Sequence, residues 1–281
     1  VGNGNVALDV ARILTMSPDA LAQTDIAPYA LEALRHSAVR EVVVVGRRGV
    51  AQSAFTVPEF AGLLTVPDID LAIDSSELAL DPVTVRLAAT DDLPHAVAQK
   101  LQLLRHVDES PEPSARKRIT LRYLLSPTRI LGTDRVTGIE FDRMGLTVDS
   151  DDVVRSIPTG EVDRIDAGLV LTSIGYRGVA LPGVPFDDRA GIIPNTGGRV
   201  LQEPGGPVEV GRYVTGWIKR GPSGFIGSNK SCAQETVGHL VGDFNAGRLT
   251  DPIELPDTWP TESTRGALQR SKEMLSALRR S

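Results

Sequence analysis

The stretch "VGNGNVALDVAR" (residues 1–12) decides how the chain is to be read. Gly2, Gly4 and Ala7 stand in a G-x-G-x-x-A spacing, and Val6, Val10, Ile13 and Leu14 recur behind them at helical intervals. A turn of this kind feeds a helix whose free N–H groups attract phosphate. Gly2 permits the bend, Gly4 lets the backbone approach a pyrophosphate, and Ala7 lets helix and sheet pack closely. The turn should follow a buried strand, yet only Val1 precedes it. The spacing also arises by chance, so the context has to carry it.

That context is "VREVVVVGRRG" (39–49), four consecutive valines followed by Gly-Arg-Arg-Gly. It reads as the second parallel strand of a βαβ unit, buried on both faces and ending in a turn. "IAPYALEALRHS" (26–37) supplies a helix before it. Beyond it, a short helix over 57–64, a strand over 69–74 and a longer helix over 93–106 continue the alternation, and 108–118 is a solvated loop by composition. Residues 119–144 read as a β-meander, 166–178 as a buried strand and 208–216 as strand-like. A glycine-rich loop is expected over 217–230, a helix over 231–246 and an amphipathic helix over 261–280. The expected fold class is α/β: a Rossmann-like domain with a β-meander, and a domain boundary near 175.

Composition narrows the function. The 281 residues are 41% hydrophobic, enough for a real core, and carry a net charge of −6, which argues against a nucleic-acid partner. No apolar run approaches the roughly 20 residues of a membrane span, so no membrane partner is expected and the location expected is cytoplasmic. With Cys232 the sole cysteine, a disulfide, a Cys-x-x-Cys pair and a cysteine-ligated cluster are all excluded within the chain. His36, His95, His106 and His239 show no metal-like spacing, and no metal is expected. Ser223 in "GPSGF" lacks the residue a nucleophile elbow places between Ser and the second Gly, so a hydrolase is rejected.

Which dinucleotide the turn would take is decided at the end of the second strand. An NAD site wants an acid there for the ribose 2′-hydroxyl, typically ~20 residues past the turn. Asp25 has that spacing but lies in "AQTDIAP", which ends no strand. The valine strand instead presents Arg47 and Arg48, two forked donors suited to a 2′-phosphate. NADP is the nucleotide this favours; the plain alternative is a pair of solvent-facing arginines. A second feature is "GWIKRGPSGFIGSNK" (216–230), with glycines at 216, 221, 224 and 227. It suits a backbone cradle in which Trp217 packs on a flat heterocycle, or else an Ω-loop with a buried tryptophan.

Together these stretches resemble the adrenodoxin-reductase-like family of ferredoxin–NADP reductases, especially its actinobacterial members. The resemblance rests on "GNGNVALDVARIL" (2–14), "VVVVGRRG" (42–49), "AFTVPE" (54–59), "SIGYRGVALPGVPFD" (173–187), "GIIPNTGGRV" (191–200) and "GWIKRGPSGFIGSNK" (216–230). It implies FAD and NADP as cofactors and a ferredoxin or similar iron–sulfur carrier as partner, hydride passing from NADPH to flavin and then electrons to ferredoxin. By resemblance, Asn3, Gly4, Asn5 and Val6 hold the NADP pyrophosphate beside Gly2, Arg47 and Arg48 the 2′-phosphate, and Glu59 a ribose or nearby group. Trp217, Gly224, Phe225 and Ile226 contact FAD, with Gly224 also near the nicotinamide, and no covalent catalyst is expected. One turn after Glu59, where a second acid is expected, the chain has Gly62. The family's chain opens with an FAD-binding unit before the NADP turn. Residues 1–175 are therefore expected to form the NADP domain with its first strand truncated, and 176–281 the C-terminal part of the FAD domain with a terminal helix. Such a chain would bind FAD poorly on its own. Two other readings stand beside this one: a non-catalytic NADP-binding module, and an NADPH oxidoreductase like the small subunit of glutamate synthase, which usually has Asp-Thr where this chain has Asn5-Val6.

Overall fold

The structure is a computed structural model that describes residues 1–108, 117–222 and 226–249. The helix expected over 261–280, most of the loop over 108–118, and Gly224 and Phe225 lie outside the described residues. The chain divides into two compact units, Val1–Gly175 and Tyr176–Ser281.

In the first unit the helices are α1 (Asn5–Thr15), α2 (Pro18–Leu21), α3 (Pro28–Arg35), α4 (Val57–Leu64), α5 (Pro82–Ala89) and α6 (His95–Asp108). The strands are β1 (Glu41–Val45), β2 (Ile69–Ile73), β3 (Lys117–Arg122), β4 (Leu125–Leu131), β5 (Gly138–Val148) and β6 (Val154–Asp166). A parallel sheet in the order β1-β3-β2 sets Glu41 opposite Arg118 and Ile69 opposite Lys117. Its β-branched strands suit a pleated surface covered by helices. Val44, Ile73, Ile119 and Leu121 are buried in one core with Phe55, Phe60 and Leu104.

α1 packs differently from the expectation. The buried stripe is Ala7, Leu8, Ala11 and Thr15, whereas Val6 is half-exposed and Val10, Ile13 and Leu14 are only partly covered. The helix has apolar residues on two flanks, and contact with β1, β3 and α4 selects the flank with small side chains. Val6, Val10 and Leu14 instead line a groove of about 920 Å³ shared with Val43, Leu169 and Leu171. Val1 and Gly2 run into that groove. The Val1 amine donates to Leu171 O at 2.7 Å, Ser173 N–H to Val1 O at 2.7 Å, and Gly2 N–H to Val45 O at 2.9 Å.

Two further expectations are corrected. The meander is β4-β5-β6, antiparallel, and residues 119–122 belong instead to β3 of the parallel sheet. Leu124, at φ 56°, makes the switch between sheets, and Leu125 N–H donates to Gly46 O at 3.2 Å. Residues 167–175 form no strand, and Leu169 and Leu171 are exposed. An apolar run becomes a strand only beside a neighbour, and here Val1 bonds to Leu171 and Ser173 while Ala167 N–H donates to Thr137 O at 3.2 Å.

The second unit holds an antiparallel sheet of β7 (Asn195–Thr196), β8 (Arg199–Leu201) and β9 (Val208–Tyr213), with α7 (Trp217–Arg220) and α8 (Ile226–Asn245). The expected loop over 217–230 is thus largely helical. Buried Asp243 ties α8 to the sheet, accepting from Arg199 Nε and Nη2 at 2.6 and 2.9 Å and from the Tyr213 hydroxyl at 2.7 Å.

Candidate functional site

The glycine turn is shaped by two different demands. Gly2 has φ +106°, and a Cβ there would lie 2.1 Å from Ser173 O, so the protein's own packing requires glycine. Gly4 caps α1 with φ −88° and ψ −179°, and its nearest foreign atom is Ala54 Cβ at 4.0 Å. Nothing in the fold crowds that position, and no side chain caps the helix there. The first N–H groups of α1, those of Asn5 and Val6, meet no acceptor among the described residues. The open face in front of Gly4 and these N–H groups fit a phosphate, since the helix dipole adds partial positive charge where they point.

Asn3 and Asn5 turn their amides toward the segment before α4. Ala54 N–H donates to Asn3 Oδ1 at 3.4 Å, Thr56 N–H donates to Asn5 Oδ1 at 2.8 Å, and Asn5 Nδ2 donates to Thr56 Oγ1 at 3.3 Å. Asn3 also packs on Gly46, where a Cβ would lie 2.5 Å from Nδ2. Thr56 and Ala54 escaped sequence reasoning, because no local pattern pairs residues 51 positions apart. The "AFTVPE" motif around them was the available signal.

Arg47 and Arg48 follow Gly46 at the C-terminal end of β1, both exposed and neither ion-paired among the described residues. Their backbone is held, since Leu124 N–H donates to Arg48 O at 3.3 Å. Asp25 stands exposed in the turn after α2 and ends no strand. Glu59 lies exposed in the first turn of α4 and borders a cleft of about 70 Å³ with Leu8, Asp9, Arg12 and Gly62. Arg12 there pairs with Asp9 at 2.7 Å. No atom lies within 4 Å of a Cβ placed on Gly62, so the fold would accept an acid at that position.

In the second unit Trp217 opens α7 and is half-exposed, not buried. Its indole stacks on Tyr176 with centroids 5.9 Å apart and 29° between planes. Tyr176, in the "SIGYRG" motif, is a second aromatic that sequence reasoning did not single out. α7 is anchored by buried Lys219, whose Nζ donates to Glu235 Oε2 at 2.7 Å and Thr236 Oγ1 at 3.1 Å. The Cys232 thiol is desolvated, which raises its pKa, but the Gly216 N–H and Thr215 hydroxyl outweigh this and hold it below the ordinary value. Ile226 is the first residue of α8. Among the described residues no group of His, Cys, Asp and Glu is arranged to hold a metal, and no helix is long and apolar enough to cross a membrane.

A parallel sheet, a glycine turn docked on the end of β1 and an uncapped helix start define a Rossmann-like α/β unit of the dinucleotide-binding class. No family model matches the chain. It is 49% identical over 259 residues to a protein of Mycobacterium tuberculosis named probable ferredoxin/ferredoxin–NADP reductase, covering 91% of this chain and 42% of that protein. It is 48% identical over 242 residues to the NADPH-ferredoxin reductase FprA of the same organism, covering 86% and 51%. The solved structure of Mycobacterium tuberculosis FprA in complex with NADPH superposes with a TM-score of 0.76 at 44% identity, covering 91% of this chain and 54% of that one. The chain is therefore related in sequence and fold to the actinobacterial ferredoxin–NADP reductases, the family its motifs resemble. It spans about half the length of the relatives it matches.

Proposed function

We propose that the chain is part of an FAD-dependent NADPH:ferredoxin oxidoreductase of the cytoplasm, its first unit the NADPH-binding domain and its second a portion of the FAD domain. The observation that carries this is the pair of exposed guanidiniums, Arg47 and Arg48, directly after Gly46, where Asn3 of the glycine turn packs, and without an ion-pair partner among the described residues. Such a fork selects a 2′-phosphate over a bare ribose. Gly2 and Gly4 shape the turn, the N–H groups of Asn5 and Val6 receive pyrophosphate oxygens, and the Glu59 carboxylate accepts from a ribose hydroxyl. In the second unit Trp217 offers a stacking face to FAD, and Gly224, Phe225 and Ile226 are assigned to the same cofactor by the family resemblance. A bound FAD would supply the chemistry that accepts a hydride from NADPH and passes single electrons to an iron–sulfur carrier. The protein's task is to orient the rings and exclude water.

The relatives named as reductases support this reading. A second reading is a module that binds NADP without turnover, since the glycine turn and both arginines lie within one compact unit, Val1–Gly175. Ferricyanide or cytochrome c reduction by the purified chain with NADPH and added FAD separates the two. Turnover that saturates with NADPH is expected of the reductase, binding without turnover of the module, and a chain that binds neither NADPH nor NADP⁺ defeats both.

A further inference from the structure

We infer that Thr56 is a positioning residue for the dinucleotide, acting with Asn5 as a strut that sets the glycine turn; this rests on the NADPH reading above. Thr56 is the N-cap of α4, yet its hydroxyl makes no bond to that helix. It accepts from Asn5 Nδ2 at 3.3 Å while its own N–H donates to Asn5 Oδ1 at 2.8 Å, so one asparagine amide is held at both ends. An N-cap threonine ordinarily turns its oxygen to its own helix's N2 or N3 amide. Here that capacity is spent on α1 instead, and α1 and α4 are both left with uncapped N-termini, joined by two bonds.

The segment carrying Thr56 is itself fixed from behind. Ser53 is buried, its hydroxyl donates to Val50 O at 2.6 Å and meets the Tyr123 hydroxyl at 2.9 Å, and its carbonyl accepts from Lys100 Nζ at 2.6 Å. Phe55 is fully buried and stacked on Phe60 at 4.8 Å. A rigid 53–56 segment therefore docks the Asn5 side of a turn whose Gly2 side rests on Val45 and Ser173. Asn3 gives a weaker second contact, accepting from Ala54 N–H at 3.4 Å. The strut fixes where the N–H groups of Asn5 and Val6 point, so the pyrophosphate meets a preset site.

Thr56→Val keeps shape and N–H but removes the acceptor; Asn5→Ala removes both bonds; Thr56→Ser restores the hydroxyl. Titration of the full chain with NADP⁺ should show about a tenfold weaker Kd for Thr56→Val and for Asn5→Ala, the loss of roughly one hydrogen bond's worth of order. The double variant should be no worse than Asn5→Ala, because the two residues act through each other. Thr56→Ser should bind like the wild type. Adenosine 2′-monophosphate, which lacks the pyrophosphate, should bind all four variants equally, and thermal midpoints should match within a few degrees. Additive losses in the double variant, or unchanged NADP⁺ affinity in Thr56→Val, would overturn the strut. Failure of the wild type to bind NADP⁺ would overturn the dinucleotide reading itself.

Discussion

Gly2 and Ser173 touch backbone to backbone: a single added carbon on Gly2 would come within 2.1 Å of the Ser173 carbonyl oxygen. The contact closes a short parallel ladder in which Val1 O accepts from Ser173 N–H at 2.7 Å. The two glycines of the turn therefore do separable work. Gly2→Ala should cost more than about 2 kcal/mol of stability, combining the clash with a left-handed backbone. Gly4→Ala should stay within about 1 kcal/mol, since its dihedrals suit any residue and its surroundings are open. Its loss should fall on NADP⁺ affinity instead. Urea unfolding beside NADP⁺ titration checks both, and a Gly4→Ala protein that binds NADP⁺ normally would remove the phosphate face from Gly4.

Replacing Arg47 and Arg48 together with alanine should weaken NADPH by about 2–4 kcal/mol while leaving NADH nearly unchanged, the range expected for two charge-assisted contacts. Because both side chains are exposed, the discrimination should shrink as salt rises. Fluorescence titration with each nucleotide measures it. Equal losses for the two would show that the arginines do not read the 2′-phosphate.

Glu77 is a buried carboxylate that accepts from Tyr123 N–H at 2.6 Å and Arg122 Nε at 2.7 Å, while Arg122 reaches Asp163 of β6 at 3.1 Å. This chain of bonds joins the parallel sheet to the meander. Glu77→Gln keeps the volume but turns an amide donor toward a guanidinium, and should cost about 2–3 kcal/mol. Denaturant unfolding gives the value; a wild-type midpoint would mean the network contributes nothing net.

Asp243 carries the clearest pH dependence. Arg199 first, then Tyr213 and, against the cost of desolvation, Arg248 hold its carboxyl well below the usual carboxylate range. A depressed native value means that the unfolded chain binds the proton first. The stabilisation is therefore complete above the unfolded value of about 3.9 and is lost as pH falls from there through the native value. Asp243→Asn should melt lower than wild type at pH 6 and lose less on acidification. Parallel melting curves from pH 6 down to pH 2.5 would rule the carboxylate out as the source.

Trp217 offers an optical test of the second unit. In a Trp259→Phe background, which leaves one tryptophan, added FAD should quench indole emission if the ring stacks on Trp217. Tyr176→Leu, by removing the stacked neighbour, should change the starting emission and weaken the titration. Emission indifferent to FAD at saturating concentration would withdraw Trp217 from the flavin site.

The α/β class was legible because it is written in local periodicity. The run over 57–64 became α4 (Val57–Leu64) and the alternation over 69–74 became β2 (Ile69–Ile73). α5 (Pro82–Ala89) went unread because its inward face is weak, with Thr84 its one buried residue. Its start signal was present in Asp81-Pro82, and Asp81 does cap the helix by accepting from Thr84 N–H at 2.9 Å. The apolar run over 166–178 reads as a strand by composition, but its pairing is confined to short contacts such as those of Val1 with Leu171 and Ser173, and its leucines stay exposed.

From the sequence alone came the glycine turn, the helix behind it, the valine strand and the two arginines at its end, since each is a pattern among near neighbours in the chain. Tertiary structure decided which flank of α1 is buried, why residue 2 must be glycine, and that Asn5 grips Thr56 from 51 positions away. Propensity and periodicity extend over a few residues, whereas a hydrogen bond or steric contact between distant segments depends on how the sheet brings them together.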